Sequence, residues 1–279
     1  MVSVYIETYG CPSNRFDTEV MLGLLRSEGF EIVYGVEQAD IIILNTCAVK
    51  KPTEDRMVSR ILKLRATGKP VIIAGCLPRI NLNLLKEVYP EFPAVIDPRS
   101  VDKVGEAVKQ VLSGRKGLIF FSDKPPPKMK LPRLRLSKVT EVVHVAEGCR
   151  FKCSYCCVRF ARGRLYSYPL GDIVRTVKEA VKSGVKEIWL TGQDLGAYGL
   201  DRGYRLTDLV RKILELPLQG FKLRIGMINP CYARAMIKDL IEFYKDPRVY
   251  RFLHVPVQSC LLYTSDAADE LDGVDLGGR

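Results

Sequence analysis

Strand-like apolar runs alternate with helix-like segments from the first residues onward, and this order restricts the fold more than any other feature of the chain. Runs at residues 2–8, 41–45 and 71–75 are separated by helical patterns at 17–28 and 53–67. The alternation continues through a short helix near 81–88, a strand at 94–96 and an amphipathic helix at 101–112, where Val101, Val104, Val108 and Leu112 fall at helical spacing. Residues 1–123 are therefore predicted to form an open, mainly parallel α/β sheet domain covered by helices.

The segment 124–138, KPPPKMKLPRLRLSK, breaks the pattern with four prolines and six basic residues and no acid. Proline at that density suits neither a helix nor a central strand, so this is the expected domain linker, read as a solvated tether with an RNA contact as the alternative. Beyond it the βα order resumes, with strands at 142–146, 187–190, 221–225 and 251–255 and helices at 171–183, 206–216 and 232–244. Repeated βα units predict a (β/α) barrel over 139–260, with about four units present and hence an incomplete one. Residues 261–279 exchange the basic habit of the chain for Asp, Gly and Ala and show no apolar period, so they are read as a non-native or disordered tail.

A 279-residue chain with 47% hydrophobic content can bury the cores that two such domains need. No leader-like start and no run of about 18 apolar residues occurs, which predicts a cytoplasmic protein without a membrane partner. The formal charge is +11, and because the last nineteen residues carry five acids and one base, the body carries +15. Such an excess favours a polyanionic partner.

Nine cysteines then need a role, at 11, 47, 76, 149, 153, 156, 157, 231 and 260. An odd number in a leaderless chain argues against a disulfide framework and for metal or cluster ligation. Cys149, Cys153 and Cys156 stand in a C-x3-C-x2-C array, in a loop that follows a predicted strand. Three thiolates from one tight loop can hold three irons of a four-iron cluster and leave the fourth open to another ligand. Zinc is the competing metal, although its sites normally bring four ligands in paired C-x2-C units. Cys11, Cys47 and Cys76 each follow a predicted strand of the first sheet. In a parallel sheet these strand ends share the edge where α/β folds generally bind ligands.

The array C-x3-C-x2-C on a predicted barrel strand resembles the radical S-adenosylmethionine (SAM) superfamily. Together with ETYGCPSN, LNTCAVK and AGCLPR in the N-terminal half, it resembles the methylthiotransferase family. FARGRLYSYPLGDIV, EIWLTGQDLGAYG, LRIGMINP and HVPVQS are most similar to the archaeal and eukaryotic branch that modifies N6-threonylcarbamoyladenosine in tRNA. The resemblance implies two [4Fe-4S] clusters, a catalytic one on Cys149, Cys153 and Cys156 and an auxiliary one on Cys11, Cys47 and Cys76. It implies SAM as cofactor, tRNA adenosine 37 beside the anticodon as substrate, and an electron donor such as ferredoxin or flavodoxin. The reaction it implies is hydrogen abstraction from C2 of the adenine by a radical drawn from SAM, with sulfur from the auxiliary cluster and methyl from a second SAM. A ribosomal-protein or isopentenyladenosine methylthiotransferase, or a cluster-binding but inactive fragment, are the alternatives. The departure from the family pattern lies at Cys260, where Gly is usual, and in the sequence that follows.

Further candidates are softer. Gln193 and Asp194, after the strand at 187–190, are candidates for holding SAM, with a plain turn as the competing role. Arg162 and Arg164 are candidates for contacting a phosphate or carboxylate, and Arg224 and Asn229 for pointing into the barrel mouth. His144 and His254 sit in strand patterns where a hydrogen-bonded core role is expected. Cys157 should face away from Cys156, and Cys231 should be a small buried hydrophobe. No nucleophile elbow, Walker loop or metalloprotease pattern occurs, which leaves hydrolase and nucleoside-triphosphatase activity without a site.

Overall fold

The computed structural model describes residues 1–256. Its first layer is a six-stranded sheet of β1 (Ser3–Thr8), β2 (Glu31–Ile32), β3 (Ile41–Thr46), β4 (Val71–Gly75), β5 (Ala94–Ile96) and β6 (Leu118–Phe120). The order is β2-β1-β3-β4-β5-β6, and every pairing is parallel. All residues of β3, β4 and β5 are buried, as continuous apolar runs covered on both faces should be. The covering helices are α1 (Pro12–Ser27), α2 (Lys51–Arg65), α3 (Cys76–Ile80), α4 (Leu82–Val88) and α5 (Val104–Leu112). Helix α1 starts five residues before the expected position because Pro12, with its fixed φ and no amide hydrogen, fits a first turn.

The second layer contains β7 (Thr140–His144), the short antiparallel pair β8 (Ala146–Glu147) and β9 (Tyr166–Ser167), β10 (Glu187–Thr191) and β11 (Lys222–Ile225). Strands β7, β10 and β11 form a parallel sheet in the order β11-β10-β7. Helices α6 (Val158–Arg162), α7 (Leu170–Lys182), α8 (Leu206–Leu214), α9 (Pro230–Ala235) and α10 (Ile237–Phe243) connect and cover it. Ile173, Val177 and Ala180 of α7 and Leu206, Leu209, Val210 and Ile213 of α8 bury one helical stripe each against this sheet.

Three expectations change. The helix expected at 232–244 is two helices, α9 and α10, meeting at Met236. No strand forms at 251–255; one bridge, Leu223 to Val249, marks the fourth strand position. The segment 124–138 is no tether. Leu134 donates to the Glu19 carbonyl of α1 at 2.9 Å. Arg133 stacks on the Phe16 ring with its guanidinium carbon 4.7 Å from the centroid, and Lys128 is fully buried. Its prolines stiffen a strap along α1 instead of loosening it. The strap closes a core that runs from Phe16, Val20 and Met21 of α1 across to Val142 of β7, so the two sheets share α1. Val257 onward, including Cys260 and the tail 261–279, lies outside the described residues.

Candidate functional site: two thiol sets at facing sheet edges

The register of the first sheet levels its cysteines. Thr8 pairs with Asn45 and Thr46 with Gly75, so Cys11, Cys47 and Cys76 all emerge within three residues of the carboxyl ends of β1, β3 and β4. The strand order reverses beside β1, and a switch point of that kind opens a crevice at the carboxyl edge. A Cβ added at Gly10 would lie 2.8 Å from Cys47 Cβ and 3.2 Å from its sulfur, so the Cys11 loop can approach the Cys47 loop this closely only with glycine there. Cys47 and Cys76 are buried and Cys11 is exposed, and none is in a disulfide. Burial pushes the Cys76 thiol up to about 12 and raises that of Cys47 as well. Cluster or metal binding, which needs thiolates, would therefore release protons.

Cys149, Cys153 and Cys156 follow β8 in a loop at the carboxyl edge of the second sheet and are free and half-buried. Gly148 initiates the loop at φ +72°, and a side chain there would meet the Arg164 carbonyl at 2.3 Å. The Phe151 amide donates to Cys149 Sγ at 3.4 Å, a contact that favours the charged sulfur. Burial nevertheless raises the Cys149 thiol, and the charges of Asp194 and of the other two thiols add to the effect.

The geometry tests the kind of metal group that would fit. Among the described residues, the group of three or more His, Cys, Asp and Glu ligand atoms lying within 4.8 Å of one another is Asp17, His144 and Glu147, not either thiol set. Two thiolates at about 2.3 Å from one zinc ion could not be more than about 4.6 Å apart. A cluster makes no such demand, because each thiolate takes its own iron.

Gln193 and Asp194 are committed to the loops around this site. Gln193 Oε1 accepts from the Gly148 amide at 2.6 Å, and its Nε2 donates to Ser13 Oγ of α1 at 3.4 Å. Asp194 Oδ1 accepts from the amides of Gly196 and Asn229, both at 3.0 Å, binding together the loops after β10 and β11. Its Oδ2 is buried without a hydrogen-bond partner, and burial raises the carboxyl.

Other expectations are corrected. Arg162 is 1% exposed and cannot reach a phosphate. Its guanidinium lies 2.7 Å from Asp17 Oδ2 and 3.1 Å from Glu147 Oε2, and donates to Asn14 Oδ1 at 2.7 Å. Lys128 Nζ completes the cluster, 2.6 Å from Asp17 Oδ1 and in contact with Glu147. His144 is buried as expected but neither ring nitrogen is hydrogen-bonded, and burial holds its pKa at about 4. His254 is exposed. Arg224 stacks between Trp189 and Phe252, and Asn229 caps α9 through the Cys231 amide. Cys231 is exposed, not buried. Cys157, as expected, faces elsewhere, its Sγ toward the Ala48 carbonyl at 3.5 Å.

The mouth of the Cys153 and Cys156 loop is basic. A cavity of about 720 Å³ is lined there by Arg79, Arg99, Lys152, Arg159 and Arg164. Arg79 and Arg99 are occupied by Asp97, Asp123 and main-chain carbonyls. Lys152, Arg159 and Arg164 have no side-chain partner among the described residues, and the rings of Tyr155 and Phe160 beside them are 70% and 72% exposed.

Comparison with known proteins finds two matching regions. Residues 143–261 match the Radical SAM superfamily and residues 3–97 match Uncharacterized protein family UPF0004. The fold is similar to that of TsrM, a radical S-adenosylmethionine methyltransferase from Kitasatospora setae solved with cobalamin and a [4Fe-4S] cluster bound. The TM-score is 0.62 at 13% identity, over 98% of this chain and 64% of that one. The chain thus carries a region that matches the Radical SAM superfamily, with a region that matches UPF0004 ahead of it. Among curated relatives, it is 43% identical over 262 residues to the probable threonylcarbamoyladenosine tRNA methylthiotransferase of Pyrococcus abyssi, covering 93% of this chain and 60% of that protein. It is 35% identical to the threonylcarbamoyladenosine tRNA methylthiotransferase of Homo sapiens, covering 92% of this chain and 45% of that one. The chain therefore spans about 60% of the length of the archaeal relative.

Proposed function

We propose that the chain is the cluster-bearing part of a tRNA methylthiotransferase that converts N6-threonylcarbamoyladenosine at position 37 to its 2-methylthio derivative. The observation that carries this reading is the pair of free thiol sets at the carboxyl edges of two parallel sheets that share helix α1. Relatives carrying the same two regions act, by name, on that nucleoside. Cys149, Cys153 and Cys156 would hold one [4Fe-4S] cluster, and Cys11, Cys47 and Cys76 the second. When bound, these clusters and SAM supply one-electron reduction, hydrogen abstraction and sulfur insertion.

The chain's own residues bind and shield. Asp194 Oδ2, buried and unpartnered beside Cys149, is placed to accept from the amino group or ribose of SAM. Gln193 holds the start of the cysteine loop through Gly148 and steadies it against α1. Lys152, Arg159 and Arg164 offer charge to an RNA backbone, while Tyr155 and Phe160 offer faces on which unpaired bases can stack. The reductant is a low-potential protein such as ferredoxin or flavodoxin.

The test is anaerobic incubation of the reconstituted protein with SAM, dithionite and tRNA carrying N6-threonylcarbamoyladenosine. The expected products are 5'-deoxyadenosine and a nucleoside heavier by one methylthio group in place of hydrogen. SAM cleavage without any RNA product would remove the assigned substrate; no SAM cleavage would leave a cluster-binding but inactive piece.

A further inference from the structure

A buried charge cluster lies between the two thiol sets. Asp17, Glu147, Lys128 and Arg162 are each almost wholly inaccessible and balance as two acids and two cations. Because Lys128 and Arg162 already neutralise the acids, the close approach of Asp17, His144 and Glu147 is not a cation site. The cluster also does more than glue. Apolar side chains of the same volume would hold two domains together at least as well as buried ion pairs. What they would not provide is one fixed register between the parts.

The contacts show what is registered. Arg162 ends the short helix that begins immediately after Cys157, and Glu147 precedes Cys149 by two residues. The guanidinium therefore bridges the entry and exit of the catalytic cysteine loop. Besides Asp17 Oδ2, it also meets Asn14 Oδ1, to which it donates at 2.7 Å. The amide nitrogen of Asn14 donates in turn to the carbonyls of Tyr9 at 2.8 Å and Thr46 at 2.9 Å, just before Cys11 and Cys47. Asn14 Oδ1 also lies 3.8 Å from Cys76 Sγ. One arginine–asparagine hydrogen bond thus joins the loops that carry all six cysteines.

We propose that Arg162 and Asn14 are positioning residues that set the separation of the two thiol sets, Arg162 as the tie across the domain boundary and Asn14 as the hub on the N-terminal side. The proposal rests on the reading that both sets hold clusters, since a fixed separation matters where sulfur leaves one site for a substrate activated at the other. Arginine suits this place because its rigid planar fork aims separate N–H groups at Glu147, Asp17 and Asn14, whereas an ammonium group must gather its acceptors around one nitrogen.

The test compares Asn14→Ala, Arg162→Lys and Arg162→Met by hydrogen exchange of the reduced, metal-free full chain. Asn14→Ala changes no charge, so it should speed exchange of the amides at 9–11 and 46–48 by about tenfold while leaving 148–157 and the sheet amides of β4 and β10 at the parent rate. Arg162→Lys should speed exchange in both cysteine regions and not in the sheets, and Arg162→Met should do so more strongly. Unchanged exchange in both regions for Asn14→Ala and Arg162→Lys would overturn the proposal. So would an equal rise in the sheets, which reports general loss of stability. After reconstitution, Arg162→Lys should keep the parent iron content but alter the magnetic interaction between the reduced clusters. A parent that loads a single cluster would refute the functional reading, and the exchange comparison would still decide this one.

Discussion

Replacing Lys128 by methionine removes one cation from a buried group of four and keeps nearly the same side-chain length. Lys128 is fully buried, 2.6 Å from Asp17 and in contact with Glu147, both themselves buried. The variant therefore leaves two carboxylates facing the single charge of Arg162. Breaking a buried pair from one side costs about 3–5 kcal/mol, because the orphaned charge can neither reach water nor find a partner. That is a large part of the total stability of a typical domain, about 5–15 kcal/mol. Urea unfolding of the reduced, metal-free chain at neutral pH would measure it. Trp189, the one tryptophan, packs against the core shared by α1 and β7 and supplies the fluorescence signal. Adding Asp17→Asn restores neutrality, with Glu147 against Arg162, so the double variant should be more stable than the sum of the single losses by about 1–3 kcal/mol. A loss below about 1 kcal/mol for Lys128→Met, or strict additivity in the cycle, would refute the argument that this strap residue neutralises the junction.

His144 should make stability depend on pH. Its pKa is about 4 in the folded chain and 6.5 when free, so the unfolded state binds the extra proton between those values. Stability should then fall by roughly 3 kcal/mol as the pH drops from 6.5 to 4. His144→Leu should flatten the upper part of that range, above the region where carboxylates begin to protonate, in urea titrations run at several pH values. Gly148→Ala forces a side chain toward the Arg164 carbonyl, and iron analysis after reconstitution should show about four irons per chain in place of about eight. Unchanged iron would mean the loop tolerates the strain. For RNA, the Arg159→Ala, Arg164→Ala double variant should weaken binding of an anticodon stem-loop and lower its salt slope by about 1.4, two single-strand phosphate contacts in size. An unchanged slope would place the RNA elsewhere.

How much of this is legible in the sequence depends on range. The strand ends beside Cys11, Cys47 and Cys76 can be read because apolar runs and the residues after them are local, and parallel order then aligns them without any further information. The glycine before each of Cys11, Cys76 and Cys149 is a further local signal: all three take positive φ, turning the chain sharply out of its strand. Lys128 cannot be singled out among six basic residues of its segment, since only the carboxylates of Asp17 and Glu147, distant in sequence, distinguish it. Arg162 departs from expectation for the same reason. An arginine after a cysteine loop looks like a ligand-binding group until the acids that bury it are known. Cys231 departs in the opposite sense: its small apolar side chain suggests burial, yet it stands on the outer face of the first turn of α9. The strand expected at 251–255 has apolar residues, but Phe252 and Leu253 stand exposed, and Phe252 meets the Arg224 guanidinium and not an apolar layer.

The central claim is that this chain carries two four-iron sites, one on each thiol set. Iron should be counted after anaerobic reconstitution for the parent chain and for the Cys149→Ala, Cys153→Ala, Cys156→Ala triple variant. The account predicts about eight irons in the parent and about four in the variant. A parent holding about four irons or fewer, or a triple variant that keeps the parent value, would contradict it.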